Sequence, residues 1–161
     1  MSRSVFFCCL AICFVLLGLD IGLKRYVFSH ISPFQGISVF HNLGGIDFSL
    51  EHVRNTGAAW GVFSSLQEYL LWGRCAIIIA LLCCICFSSF SLGRKACFSL
   101  IVAGAIGNVL DFFIYGHVVD MFHFCFWGHS FAVFNVADSM IFCGVVFLFF
   151  QQTRENKARK A

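Results

Sequence analysis

The sequence predicts an all-α membrane protein: four transmembrane helices with a small extracytoplasmic β element. Three observations lead there. Apolar residue types fill 60% of the 161 positions and charged types only 12%, with a mean hydropathy of +0.87, whereas an ordinary soluble domain is roughly a quarter charged. Four apolar runs each reach the ~20 residues a helix needs to cross a bilayer core of about 30 Å. One intervening segment switches to a two-residue alternation of apolar and polar side chains, the period of a half-buried strand. The same composition excludes a disordered chain, and a formal charge of +3 is too small for nucleic-acid binding. The length fits a single integral membrane domain, residues 1–161.

The first span covers about residues 5–24. Its apolar run with Arg3 ahead of it resembles a signal peptide, but LGLDIGLKRY follows where a small-residue cleavage site is required. LAIC, Leu10 to Cys13, is a poor lipoprotein box because Ile12 is bulky. An uncleaved first helix is expected. Segment 25–68 is too long for a simple turn. In it Ile46, Phe48 and Leu50 alternate with Asp47, Ser49 and Glu51, behind a turn at Asn42-Leu43-Gly44-Gly45. After the strand, Gly57, Ala58, Ala59 and Gly61 beside Trp60 permit close backbone approach, as tight packing or as a substrate groove. The remaining spans cover about 69–90, 96–115 and 131–151, with a short hairpin connecting the last two.

Seven of the eleven Lys and Arg residues lie before the first span, at Arg94–Lys95 and in the tail with Arg154, Lys157, Arg159 and Lys160. The positive-inside rule therefore places both termini in the cytoplasm and segments 25–68 and 116–130 outside. Of the ten cysteines, nine lie in apolar runs and Cys125 falls in an expected loop. They read as inert packing thiols, the Cys83 and Cys86 of a CxxC included, because a CxxC without a second ligand pair makes no metal or redox site.

Carboxylates in or beside the spans are the anomaly, because an Asp at a helix centre costs about 2.5–3.5 kcal/mol to insert. Asp20 and Lys24 are four apart and pair on one helix face, as a structural ion pair at the outer boundary. Asn108 and Asp111 share a face of the third helix, and Asn135 and Asp138 repeat that spacing on the fourth. Both steps suit helix-to-helix hydrogen bonding as well as chemistry. Asp120 and Asp138 flank the hairpin and so share one depth. Two carboxylates sharing a site cannot both ionise easily, which leaves one protonated to polarise a carbonyl and one charged to activate water. A rival reading takes His117, His123 and His129 with Asp120 as zinc ligands of a metal-dependent hydrolase. A second rival is a small ion-coupled transporter, which should instead hold its carboxylates at the midplane between repeats; no repeat is visible.

LDIGLK (Leu19–Lys24), VRNTGAAWG (Val53–Gly61), GAIGNVLD (Gly104–Asp111), GHVVDM (Gly116–Met121) and FNVADS (Phe134–Ser139) together resemble the bacterial lipoprotein signal peptidase (signal peptidase II) family over nearly the whole chain. The resemblance implies a four-helix aspartyl endopeptidase of the bacterial inner membrane with no metal or organic cofactor. It would remove signal peptides from diacylglyceryl-modified prolipoproteins just before the lipidated cysteine. By the same resemblance Asp120 and Asp138 are the catalytic pair. Asp20, Lys24, Asn55, Asn108, Asp111 and Asn135 support it, with Asn55 placed to meet substrate or the inhibitor globomycin. Segment 25–68 would form a β-cradle on the membrane, with lipids and prolipoproteins as partners, no nucleic acid, and a monomeric state. One departure stands out: the family pattern GNxxDR places Arg where this chain has Phe112. Arg74, unusual inside a span, is the residue expected to take over part of its role.

Overall fold

A computed structural model describes residues 1–57 and 66–160, with side chains to residue 155. Helix α1 (Arg3–His30) leads into strands β1 (Gly36–Leu43) and β2 (Ile46–Asn55), and helices α2 (Gln67–Phe87) and α3 (Leu92–Tyr115) follow. Strands β3 (Val118–Phe126) and β4 (His129–Ser130) precede helix α4 (Val136–Lys160). All four helices are long and apolar enough to cross a membrane. Exposed side chains such as Phe14, Val15, Phe87, Phe113, Phe142 and Phe149 cover the bundle, as expected where lipid is the solvent. On α1 the buried positions are Cys13, Asp20, Lys24 and Val27, spaced seven, four and three apart. That is one narrow stripe along the helix, and it packs on α3 and α4.

Both connections at the far end of the bundle contribute strands. The strands make one antiparallel sheet in the order β1-β2-β3-β4. Gly44 and Gly45 (φ 65° and 85°) turn β1 into β2, and Trp127 with Gly128 (φ 47° and 80°) turns β3 into β4, the positive-φ geometry that two-residue hairpins need. A bulge between Leu50 and Val53 shifts the register of β2 against β3. Val27 and Ile31 at the end of α1 pack with Val119 and Met121 of β3, all nearly inaccessible, so the sheet is seated on the bundle.

These observations correct several expectations. The segment at 116–130 is not a free hairpin; it supplies β3, which joins the sheet of segment 25–68, and it places Cys125 on a strand. Asp120 therefore projects from a strand and not from a helix end. The first helix continues six residues past Lys24, and Val27 in that extension packs against Val119 and Met121 of the sheet. The second ends at Phe87. The fourth begins at Val136 and not near Phe131, because residues 131–135 run extended along β3, with Phe134 and Phe122 exchanging backbone bonds of 3.1 and 2.8 Å. All ten cysteines are free thiols. The expectation for Ala58, Ala59, Trp60 and Gly61 lies outside the described residues.

Candidate active site

The site grows from the N-terminus of α4. Asn135 is its cap: Asn135 Oδ1 accepts from Asp138 N at 2.8 Å, while Asp138 Oδ2 accepts from Asn135 N at 3.2 Å. This reciprocal pair is a capping box, which satisfies two otherwise orphaned backbone donors and favours a negative charge in the first turn. The N-x-x-D spacing expected to mark one helix face thus has a different cause, and Asn135 lies outside the helix. Asp20 reaches across from α1 to accept from Ala137 N at 2.9 Å. The approach depends on glycine: a Cβ on Gly107 would stand 2.8 Å from Asp20 Oδ2 and 3.2 Å from Ala137 Cβ.

Lys24 is fully buried, and its ammonium spends its three protons on three partners. It lies 2.7 Å from Asp20 Oδ2 and 2.7 Å from Asp111 Oδ2, and donates to Asn108 Oδ1 at 3.0 Å. The expected pair of Asp20 with Lys24 is thus present as part of a buried triad that includes Asp111. Removing one partner of such a group strands a charge and costs about 3–5 kcal/mol. Asp111 Oδ2 also accepts from Val119 N at 3.2 Å, so the triad fixes the start of β3.

Two asparagines carry the network onward. Asn108 Nδ2 donates to Asp138 Oδ1 at 2.8 Å. Asn135 Nδ2 donates to Asp120 Oδ1 at 2.7 Å and to Asn108 Oδ1 at 3.1 Å. The other oxygen of Asp120 accepts from Asn55 Nδ2 at 2.9 Å. Asn135 therefore binds both carboxylates, Asp138 through its backbone amide and Asp120 through its side chain. Burial, then the negative charge of Asp138, push the Asp120 carboxyl up to about 7, against the pull of its asparagine donors and of Lys24. At neutral pH Asp120 is therefore partly protonated.

Arg74 does not lie idle in α2. Its Nη2 donates to Gly57 O at 2.8 Å, Gly57 N donates to Asn55 Oδ1 at 3.0 Å, and Asn55 reaches Asp120. A continuous relay links α2 to the carboxylate. All eight side chains singled out in the sequence thus meet in one network. What the sequence reading missed is Gly107 and the backbone amides of Ala137 and Val119, which serve by proximity and leave no motif of their own beyond a glycine.

The histidines do not converge. His117 faces His52 with ring centroids 6.5 Å apart, and burial, then the Arg54 charge, hold it below the usual imidazole range. His123 binds Glu51 and Ser130, and His129 is exposed. Among the described residues no three His, Cys, Asp or Glu side chains are grouped to hold a metal.

A multi-pass membrane bundle whose internal polar network ends in two aspartates joined by one asparagine has the arrangement that an aspartic-type membrane peptidase requires. Comparison with known proteins gives the family: the model for signal peptidase (SPase) II matches residues 12–154, and the chain belongs to that family. Similar proteins include the lipoprotein signal peptidases of Burkholderia ambifaria, 40% identical over 70% of each chain. That of Buchnera aphidicola is 33% identical over 92% of this chain and 95% of its own. Among solved structures, a bacterial membrane enzyme determined in meso at 2.3 Å superposes with a TM-score of 0.79 at 26% identity, covering 92% of this chain and 88% of that one. A second, at 1.9 Å, gives 0.74 at 27% identity over 89% and 91%.

Proposed function

We propose that the protein cleaves diacylglyceryl-modified prolipoproteins before the lipidated cysteine, using Asp120 and Asp138 as an aspartic dyad. The observation that supports this most directly is Asn135, which holds both carboxylates at the junction of bundle and sheet. Asp138, bonded at both oxygens by Asn108 and by the helix cap, is the charged partner that takes a proton from water. Asp120, whose proton is retained to about pH 7, donates to the scissile carbonyl oxygen as the water oxygen attacks its carbon. The proton taken by Asp138 then passes to the departing amide nitrogen, the C–N bond breaks, and the proton on the former carbonyl oxygen returns to Asp120 as the acid forms, which restores the pair. Asn55 lies between the relay from Arg74 and the dyad, where it orients Asp120 and meets substrate or a globomycin-type inhibitor. Asp20, Lys24 and Asp111 hold the bundle ends in register and do not take part in proton transfer.

The Lys/Arg asymmetry supports an inner-membrane protein with both termini cytoplasmic and the dyad near the outer face. At that depth a lipid-anchored peptide arrives sideways, keeps its acyl chains among lipids and presents the bond beneath the sheet. The test is cleavage of a purified diacylglyceryl-prolipoprotein by the full chain, with and without chelator. Cleavage unaffected by chelator is expected; loss on chelation and recovery with zinc would overturn the aspartic mechanism.

A further inference from the structure

The sheet carries a second set of reactive side chains. Ser49 and Glu51 are two apart on β2, His123 lies opposite Ser49 on β3, and Ser130 of β4 lies opposite Cys125, two residues beyond His123. In an alternating strand all of these share a face, and Asp120, three residues before His123, projects from the other. The register brings His123 Nδ1 to 2.6 Å from Glu51 Oε1 and His123 Nε2 to 2.7 Å from Ser130 Oγ. A carboxylate has no proton to give, so Nδ1 carries the hydrogen and donates, which leaves Nε2 as the bare acceptor for the Ser130 hydroxyl. Ser49 Oγ donates to the same Glu51 oxygen at 2.8 Å and fixes the carboxylate. Ser130 is exposed, and the His123 and Glu51 side chains are about three-quarters covered, at 24% and 28% exposure. Nucleophile, base and orienting carboxylate stand in the order that activates a serine.

We propose that Ser130, His123 and Glu51 form a second, serine-type site that hydrolyses activated carboxylic esters. Ser130 Oγ attacks the ester carbonyl carbon while His123 Nε2 takes the hydroxyl proton. The carbon–oxygen bond to the alcohol then breaks, and the imidazolium returns that proton to the departing oxygen, leaving an acyl-serine. Water attacks the same carbon, its proton passes through His123 to Ser130 Oγ, and the acid departs. The ester class follows from the backbone: Phe131 N, the amide after the nucleophile, is committed to Phe124 O at 2.9 Å and offers nothing to an oxyanion. Esters with good leaving groups, such as aryl esters, need that help least.

The experiment uses the full chain in detergent with Asp120→Asn in place, so that the dyad contributes nothing and its own assignment is not at stake. An aryl fluorophosphonate should label Ser130 by peptide mass analysis. Hydrolysis of p-nitrophenyl acetate should fall about 10²-fold in Ser130→Ala and in His123→Ala, the lower end of what a positioned general base supplies. Thermal melting of Ser130→Ala serves as the folding control, and this exposed hydroxyl should leave it unmoved. Ester hydrolysis unchanged in a folded Ser130→Ala protein, or absence of the probe from Ser130, would overturn the site.

Discussion

Asp120 is 2% exposed, receives a hydrogen bond on each oxygen and faces the charge of Asp138. Its folded-state pKa lies above the ordinary 3.8, at about 7. Protonated Asp120 thus contributes stability that is complete below 3.8 and is lost as pH rises through about 7. In the proposed mechanism activity needs that proton, so the alkaline limb of the pH–rate profile should fall near pH 7, with an acid limb where the pair takes up its second proton. Asn55 stabilises the charged form, so Asn55→Ala should move the alkaline limb to higher pH; an unmoved limb would show that Asn55 does not act on Asp120. Arg74→Ala should lower turnover by removing the anchor of Gly57, and unchanged kinetics would exclude the relay. Phe112 stands half-buried on α3, and the bond from Arg74 acts on the Asn55 turn from a different helix.

Helix ends and strand registers decide where these residues stand. FNVADS stood out as a polar step, but its Asn135–Asp138 spacing expresses a cap, and the polar step just before an apolar run was the available signal. Asn108 and Asp111 do share a helical face, because GNVLD lies inside a continuous helix. β1 and β3 were illegible as strands: GISVFHNL and VVDMFHFCF lack clean alternation, since β3 buries both faces at its start, Val118 to Met121. Their pairing is long-range, which no local pattern encodes. Gly107 makes the α1–α3–α4 contact possible, and Gly107→Ala should push Asp20 off the α4 cap. The expected result is a lower melting temperature together with lost cleavage; an unaltered protein would show that the approach is looser than the packing implies.

At the scale of the molecule, a polar network is held inside an apolar bundle by one lysine. Lys24→Met keeps the stem and removes the charge, stranding Asp20 and Asp111, and should cost about 3–5 kcal/mol in unfolding free energy; a cost near zero would make the triad dispensable. The topology places the sheet and the α4 cap at one end, with the Arg94–Glu155 pair of α3 and α4 closing the other. Reporter fusions after Gln35 and Trp127 should read as external and one after Lys95 as cytoplasmic; an external signal at Lys95 would overturn the orientation. The four spans were readable because length and hydropathy are local, and so was the location of the carboxylates at one end. The way one asparagine joins them was not.

The most direct test of the dyad compares single-turnover cleavage of a diacylglyceryl-prolipoprotein by Asp120→Asn, Asp138→Asn and the double variant. Asn keeps size and hydrogen bonding and removes ionisation. Each single change should nearly abolish cleavage while substrate still binds, and the double variant should be little worse than either, because groups acting as a unit are non-additive. Near-normal turnover in either single variant, or losses that multiply in the double, would contradict a shared dyad.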